Sequence, residues 1–404
     1  MKYLNFLILT IWATLFISCN AESGGDENMS FKIKELELNS LSGGCSNLFV
    51  DESGKAFLTW IEYLNDTTDA LMWSALDVEN WSDPQKIAQG SNWFVNWADF
   101  PALAVFPGGD QKMAAHWLQK SAQGTYDYDV RVSISGSEGE DWAPSFILHR
   151  DSIAAEHGFV SLMPSGADRI LAVWLDGRFT KQEGGAMTLR SGEFDREGNL
   201  YEESELDHRI CDCCQTDVVM TANGPVAVYR DRSDTEIRDI YIVRQLDGQW
   251  TDPEPVFADN WMIPGCPVNG PAVAAHEHSI AVAWFTAPEN EPAVKIAFSD
   301  DGGANFEEPY QLDNGNPLGR VDIIMVDEKK ALVSWLEKTE DNAEIRLQWV
   351  SPDGPIGESI AILETAHSRE SGFPIMERAG GRLILSYTEV DTVGTRVKTV
   401  EVLY

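Results

Sequence analysis

Five cysteines stand out because thiolates bind soft metal ions and carry out redox chemistry. Three of them occur in the run Cys-Asp-Cys-Cys-Gln-Thr, and the full set is Cys45, Cys211, Cys213, Cys214 and Cys266. Thiolates suit Cu(I) or Zn(II), whereas cysteines outside the cytoplasm also form disulfides. Because five is odd, disulfides alone would leave at least one thiol unpaired. The run lacks the paired Cys-x-x-Cys units of zinc ribbons and the Cys-x-x-Cys-His of haem attachment. Disulfides and a Cu or Zn centre therefore both stay open.

A second group of residues combines arginine with carboxylates. The segment 229–239 reads YRDRSDTEIRD, with three arginines and four acids. A guanidinium group binds a carboxylate through two parallel hydrogen bonds, so such a loop could hold an acidic ligand. The same charges could instead pair with one another and order the loop. The candidate catalytic residues are Arg178, Arg230, Asp231, Arg232, Arg238, Asp217 and Arg320.

Further polar residues stand at or near the start of predicted first strands. The candidate ligand-binding residues of this kind are Asp99, His157, Asn269 and Asp322. We expect these positions to face a central axis, where two carboxylates about 5–9 Å apart could cleave a glycosidic bond. His157 could also join the cysteines in a metal site.

The elements that must position these residues follow from a repeat. An apolar run followed by an aromatic residue recurs seven times, at spacings of 51 to 57 residues; the aromatic residues are Trp60, Trp117, Trp174, Tyr229, Trp284, Trp335 and Tyr387. A repeat of about this length built from short strands is typical of a β-propeller. We therefore predict an all-β propeller of seven four-stranded blades, with six as the alternative.

The last repeat supplies only three strands, and the ends of the chain explain why. The alternating segment Phe31–Leu38 precedes the first blade and has no other partner in the repeat. Pairing it with the last blade closes the ring and removes two exposed sheet edges. In this strand order, one face, here called the top, carries the blade entries and the loops between second and third strands. All five cysteines map to entries on the top, where we expect them to converge.

The turn after the third strand of the fifth repeat carries a motif. Ser299–Phe306 reads SDDGGANF and matches the Asp-box, S-x-D-x-G-x-x-W/F; 135–142 is a degenerate copy. With the seven anchors, the chain resembles the sialidase-like (BNR, Asp-box repeat) superfamily of propellers. The CDCCQT run resembles one in uncharacterised bacterial lipoproteins of that superfamily. The resemblance implies glycan binding or exo-glycosidase activity through three arginines, a Tyr–Glu pair and an Asp. The Arg-Ile-Pro signature of sialidases is absent here.

The N-terminus has the pattern of a targeting segment. Lys2 precedes a short apolar run ending at Cys19, which is the length of a signal-peptide core and short for a membrane span. We predict a lipoprotein signal peptide over 1–18, lipidation of Cys19, a flexible tether over 19–30 and a single propeller over 31–404. The predicted location is the bacterial cell envelope, anchored by lipid, in the outer membrane and facing the periplasm or the surface.

The charge of the chain limits its partners. It has 65 acidic residues against 30 lysines and arginines, for a net charge of −35. Nucleic acid is excluded as a partner because its phosphates need neutralising by cations. Three hypotheses remain: a propeller that binds or hydrolyses a glycan on its top face, a Cu, Zn or redox protein built on the cysteines, and a non-enzymatic surface module that binds a cell-surface ligand.

Overall fold

A computed structural model describes residues 31–404. The predicted signal peptide, lipidation site Cys19 and tether lie outside the described residues. Within residues 31–404 the chain forms 29 β-strands and three short 3-10 helices, Ser137–Gly139, Pro288–Asn290 and Arg369–Ser371. No helix of this part of the chain is long and apolar enough to cross a membrane.

The strands form seven sheets of four positions each, which confirms the all-β propeller prediction. The innermost strands are β2 (Gly43–Val50), β6 (Leu103–Val105), β10 (His157–Ser165), β14 (Asp217–Thr221), β19 (Ala272–His276), β23 (Pro317–Asp327) and β27 (Ile375–Ala379). The second strands are β3 (Ala56–Asn65), β7 (Met113–Lys120), β11 (Arg169–Asp176), β15 (Gly224–Arg230), β20 (Ser279–Thr286), β24 (Lys330–Lys338) and β28 (Arg382–Val390). The third strands are β4 (Thr68–Ala75), β8 (Tyr128–Ile134), β12 (Thr188–Asp195), β16 (Ile240–Leu246), β21 (Ala293–Ser299), β25 (Ala343–Ser351) and β29 (Thr395–Leu403). The outer strands are β5 (Gln85–Gly90), β9 (Phe146–Ile147), β13 (Ser204–Asp207), β17 (Gln249–Trp250) with β18 (Glu254–Pro255), β22 (Tyr310–Gln311), β26 (Gly354–Thr365) and β1 (Lys32–Leu36).

The ring closes through the N-terminal strand, as predicted. Strand β1 pairs antiparallel with β29, with Lys32 opposite Leu403 and Leu36 opposite Thr399. The seventh sheet therefore combines the two ends of the described chain, and the alternative of six blades is wrong. This pairing covers the edge of β29 that would otherwise be exposed.

The hydrophobic core lies between neighbouring blades. Seven clusters of buried apolar side chains fill the seven junctions around the ring. The repeated aromatic residues anchor these clusters, and Trp60, Trp174 and Trp335 are almost completely buried. Burying one large apolar side chain stabilises the fold by about 1.5–3 kcal/mol, so the repeat stabilises every junction alike.

The Asp-box lies on the face opposite the blade entries. Its Asp301 carboxylate accepts backbone N–H bonds from Ala304 and Asn305, both at 2.9 Å. Gly302 has φ +72°, a left-handed conformation that favours glycine, and its N–H donates to His278 in the β19–β20 turn. The box thus shapes a turn on the bottom face, leaving the top face for the cysteines.

Candidate functional site

The cysteine run crosses the top face between blades three and four. The segment from β13 to β14 is held there because Cys211 N–H donates to the carbonyl of Arg230, at the end of β15. Cys266 lies in the neighbouring crossing, between β18 and β19. The repeat places these two crossings side by side, so residues more than 50 positions apart in the chain meet.

Three sulfur atoms come together at this place, and a fourth cysteine lies near them. Sγ of Cys211 lies 2.9 Å from Sγ of Cys214 and 3.9 Å from Sγ of Cys213. Cys266 lies near these three, and its interaction with Cys213 lowers the pKa of the Cys266 thiol. Cys211 and Cys214 are buried, Cys213 is half-buried and Cys266 is exposed. We call these four residues the cysteine cluster.

Electrostatics favours a thiolate inside the cysteine cluster. Burial would raise the pKa of Cys211, but hydrogen bonds from Cys213 and Cys214 and the charge of Arg238 outweigh it and hold that pKa well below its usual range. Nη1 of Arg238 donates to Sγ of Cys211 at 3.3 Å, and the Arg238 side chain is only 3% exposed. Burial raises the pKa of Cys214, so this thiol keeps its proton. A soft metal ion would replace such protons.

Carboxyl groups surround the cysteine cluster. Burial raises the pKa of Glu156 to about 7 and that of Asp231 to about 7, and both feel the charge of Cys211. Burial also raises the pKa of Asp212, although the charge of Arg232 opposes it. Arg232 forms ion pairs with Glu236 at 2.7 Å and Asp212 at 3.1 Å. Some of the charges in segment 229–239 therefore neutralise one another.

The fifth cysteine of the described residues lies elsewhere. Cys45 is inside β2, where its Sγ donates to the carbonyl of Asn96 at 3.4 Å. It packs in the core between blades one and two. The convergence predicted for five cysteines therefore does not include Cys45, because blade one lies across the ring from blade four. All five are free thiols in residues 31–404.

His157 and Arg178 belong to a separate charged network at the junction of blades two and three. His157 stacks on His149 with ring centroids 3.7 Å apart. Its Nε2 faces Asp151 at 3.1 Å and Asp176 at 3.6 Å. Nη2 of Arg178 bonds Asp176 at 2.6 Å and lies 3.2 Å from Asp151. His157 therefore does not join the cysteine cluster, and the Arg178 guanidinium is occupied by protein carboxylates.

Two candidate catalytic arginines are bonded to acceptors within the protein. Arg230 is 1% exposed and donates to the carbonyl oxygens of Asn269, Arg238 and Phe285 at 2.6–2.9 Å. Arg320 is also buried, donates to Ser371 Oγ and the Gly372 carbonyl, and lies over the Trp97 ring. Neither guanidinium is free for a ligand carboxylate. The catalytic role stays a prediction, and in the structure both side chains tie neighbouring blades together.

The axial carboxylates and Asn269 are also bonded to donors within the protein. Each of these side chains at the start of a blade accepts a backbone N–H from the next blade, as follows: Asp99 from Phe159 at 2.7 Å, Asp217 from Val273 at 2.7 Å, Asn269 from Arg320 at 2.7 Å, and Asp322 from Met376. Burial raises the pKa of Asp99 to about 8 and that of Asp217 to about 6. The predicted ligand-binding and catalytic roles at these positions stay predictions, and in the structure these oxygens accept backbone N–H bonds from the next blade.

The axis encloses a cavity of about 980 Å³ lined by the inner strands. At its top end the Gln215 side chain donates to the carbonyl of Ala98 and accepts from Gly270 N–H. Trp97 stacks on Phe373 across the same end, with centroids 5.7 Å apart. These contacts bridge the top of the axis, so the cysteine cluster sits beside the axis and not over an open channel.

Sequence reasoning missed several residues of these sites. Asp151 and His149 follow the outer strand of blade two, and Glu156 precedes β10; none belongs to a recognisable motif. One signal was present for Asp212, which stands between Cys211 and Cys213. The others become neighbours only through packing of blade two against blade three.

Comparisons with known proteins agree with the propeller fold. No protein-family model and no curated protein match the chain. The polysaccharide lyase Uly1 is similar in structure, with TM-score 0.55 and 9% identity over 89% of both chains. An ulvan lyase has TM-score 0.48 and 13% identity over 79% of this chain and 80% of that chain. A mutant of NanB sialidase from Streptococcus pneumoniae has TM-score 0.45 and 9% identity over 90% of this chain and 68% of that chain. The neighbours are thus sialidase-like and related propeller enzymes, and at these identities the likeness concerns the fold.

Proposed function

We propose that this propeller holds one thiophilic metal ion, Cu(I) or Zn(II), in the cysteine cluster on its top face. The observation that carries the proposal is the approach of Cys211, Cys213 and Cys214, whose sulfur atoms all lie within 4.8 Å of one another. Two thiolates on one tetrahedral zinc ion, with bonds of about 2.3 Å, are about 3.8 Å apart. The separation of 3.9 Å between Cys211 and Cys213 has that value, whereas Cys211 and Cys214, at 2.9 Å, must move apart when an ion binds.

The surroundings of the sulfur atoms support the same function. Arg238 donates to Cys211 and, as a buried cation, offsets the negative charge that several thiolates bring to one ion. Hydrogen bonds from groups around the ligands orient them and tune the ion. Since Cys213 and Cys214 carry protons in the metal-free cluster, we expect binding to release protons and to tighten as pH rises.

Metal titration tests the proposal. The reduced, metal-free protein is titrated anaerobically with Cu(I) or Zn(II) in competition with a coloured chelator. We expect one ion per chain and, in Cys211→Ser, an affinity at least about 100-fold lower. Cys45→Ser is the matched control, because it removes a buried thiol far from the cluster and should bind as the wild type does. Absence of a bound ion, or equal loss in both variants, contradicts the proposal.

Replacement of the exposed Cys266 distinguishes a Zn(II) site from a Cu(I) site. A structural zinc ion takes four protein ligands, so Cys266→Ser should weaken zinc binding. Soft Cu(I) can be coordinated by the three sulfur atoms that are already close together. The same variant should therefore bind Cu(I) with the wild-type affinity. The pattern of the two titrations identifies the ion for which the cluster is built.

A glycan ligand on the top face is the second candidate. The observation that favours it is an aromatic patch at blade two: Tyr126 is 57% exposed and packs edge-on against Phe94, with Lys120 Nζ 5.7 Å from the Phe94 ring. Aromatic rings with polar tips suit amphipathic ligands. A binding screen on a glycan array tests this, and Tyr126→Ala should abolish any signal while Tyr201→Ala, on another blade, keeps it. Sialidase-type cleavage has no support from Arg230 or Arg320, which are both bonded internally.

The location proposed for the protein remains the bacterial cell envelope, with lipid attached at Cys19. The support is the sequence pattern of residues 1–19. Such a compartment oxidises unprotected thiols. A metal ion would protect four thiols that otherwise oxidise there.

A further inference from the structure

The axial cavity of about 980 Å³ contains carboxyl groups without a cationic partner. Six of the charged side chains that line it are acidic, and one, Arg378, is basic and exposed. Asp217, Asp322 and Glu377 lie on the inner strands of blades four, six and seven, and no lysine or arginine side chain of residues 31–404 pairs with them. Carboxylates removed from bulk water are normally paired with a cation. A positively charged ligand would therefore complete pairs that these residues leave open.

The three carboxyl groups stand at two heights along the axis. Asp217 and Asp322 are each paired opposite the residue that precedes the aromatic anchor of their blade. Glu377 is paired opposite Ile384, three residues before the anchor Tyr387, so it lies two residues further along its inner strand. At about 3.3 Å per residue, this places Glu377 about 7 Å closer to the bottom face.

The cavity combines an apolar wall with an entrance at the bottom face. Val218, Val273 and Ile323 line it beside the acidic residues. The exposed turns at 51–53 and 107–109, which join the first and second strands of blades one and two, also line it. Since the contacts of Gln215 and Trp97 described above bridge the top end, a ligand would enter from the bottom.

The spacing of the acids suits an extended cation better than a single metal ion. Within residues 31–404, the groups of three possible metal ligands whose atoms lie within 4.8 Å of one another include none of Asp217, Asp322 and Glu377. A cation with two charges joined by methylene groups can reach both heights. Its carbon chain can pack on the apolar wall, as the stem of a lysine side chain does on a protein surface.

We propose that the axial cavity binds a linear aliphatic amine with at least two ammonium groups, one at Glu377 and another at the level of Asp217 and Asp322. An ammonium group has three N–H donors, and charge-assisted bonds to carboxylates are strong. Asp217 accepts the N–H of Val273 at 2.7 Å, and its carboxylate oxygens keep further lone pairs for a ligand. This site goes beyond the metal centre and the aromatic patch proposed above.

The acidic groups repel one another across the cavity, which supports the same ligand. Burial raises the pKa of Glu377 to about 7; a backbone N–H of Arg378 opposes the rise, and the charge of Asp217 adds to it. Burial also raises the pKa of Asp322 well above its usual range, against the N–H of Met376 and with a contribution from Asp217. An ammonium group placed among these carboxylates favours their charged forms.

Calorimetric titration of the protein with 1,4-diaminobutane tests the site. We expect one amine per chain and, in Glu377→Gln, an affinity at least about tenfold lower, because one charge pair in the cavity is lost. Butylamine, which has a single ammonium group, should likewise bind at least about tenfold more weakly than the diamine. Glu254→Gln is the matched control: it makes the same change of charge on the exposed outer strand of blade four and should keep the wild-type affinity.

Glu377→Gln keeps the shape of the side chain, so it should fold as the wild type does. Asp217→Asn is a second variant, which retains an acceptor for the N–H of Val273 and should also weaken binding. The proposal is overturned if no diamine binds, if Glu377→Gln and Glu254→Gln lose affinity equally, or if butylamine binds as tightly as the diamine. Binding of Ca²⁺ that depends on Glu377, in protein that binds no amine, would assign the cavity to a metal ion instead. Failure of the cysteine cluster to bind Cu(I) or Zn(II) leaves these results unaffected.

Discussion

Replacing Arg230 by alanine should destabilise the metal-free protein by about 3 kcal/mol, which for a domain of this size lowers the unfolding midpoint by roughly 5 °C. The guanidinium donates to three carbonyl oxygens, on Asn269, Arg238 and Phe285, and stacks over Trp261 at 5.0 Å. Its removal leaves these buried acceptors without partners and opens a cavity between blades four and five. Thermal unfolding monitored by circular dichroism measures the effect.

Arg232→Ala is the matched control in the same loop. Its guanidinium pairs with Glu236 and Asp212 near the surface, and such partly exposed pairs contribute about 1 kcal/mol or less. Arg230→Lys should fall between the two, because a single ammonium group cannot reach three carbonyl groups with the geometry of a guanidinium. Equal midpoints for Arg230→Ala and Arg232→Ala would show that Arg230 is not a tie between blades.

The stability of the blade two–blade three junction should fall as pH rises above neutrality, through loss of a proton from His157. Both ring nitrogens face acceptors: Nδ1 lies 3.2 Å from the carbonyl oxygens of Tyr128 and Ala155, and Nε2 faces Asp151 and Asp176. Only the doubly protonated ring can donate from both sides. Burial lowers the pKa of His157, but the hydrogen bond to Asp151 and the charge of Asp176 outweigh it, and the pKa is raised.

The direction of the pH effect follows from this raised pKa. The unfolded chain loses the His157 proton near pH 6.5, whereas the folded chain holds it to higher pH. The contribution to stability is complete below about pH 6.5 and is lost as pH rises through the folded pKa, at about 1.4 kcal/mol per pH unit. Arg178 and the stacked His149 face the same carboxylates and set the remaining charge of the junction.

His157→Gln should show lower stability at pH 6 and a flatter pH profile than the wild type. Unfolding midpoints of the two proteins between pH 5.5 and 9 measure this difference. His278→Gln is the control, since His278 is exposed in the β19–β20 turn and should leave the profile unchanged. A wild-type profile in His157→Gln would mean that the imidazolium does not stabilise the junction.

The repeat in the sequence was sufficient to predict the fold. Aromatic residues such as Trp60 and Trp174 recur because every blade must bury one large side chain against the next, and this requirement is local to each repeat. Closure by Phe31–Leu38 was also predictable, because a blade with three strands needs a fourth. The structure has the pairing as Lys32–Leu36 with β29.

The roles of polar residues were less predictable, because each depends on a partner distant in the chain. From its place in the sequence, Arg230 is expected to bind a ligand at the surface. In the structure it lies at a blade junction, where it donates to the carbonyl oxygens of Asn269 and Phe285. Asp217 was predicted to be a catalytic carboxylate, and the sequence did not show that its carboxylate accepts the N–H of Val273 in the next blade. Hydrogen-bond partners across a junction are set by the rotation between blades, which a single repeat does not reveal.

The cysteines illustrate both what the sequence predicts and what it leaves to the tertiary structure. The sequence by itself determined that thiols would lie at blade entries on one face, since strand order fixes which loops share a face. Only the tertiary structure decided that Cys211 meets Cys214 and Cys213 and that Cys45 packs in another junction, beside Asn96. The physical reason is that the repeat sets the height of a residue along the axis, whereas contact between side chains depends on their angular position around the ring and on the path of each crossing loop.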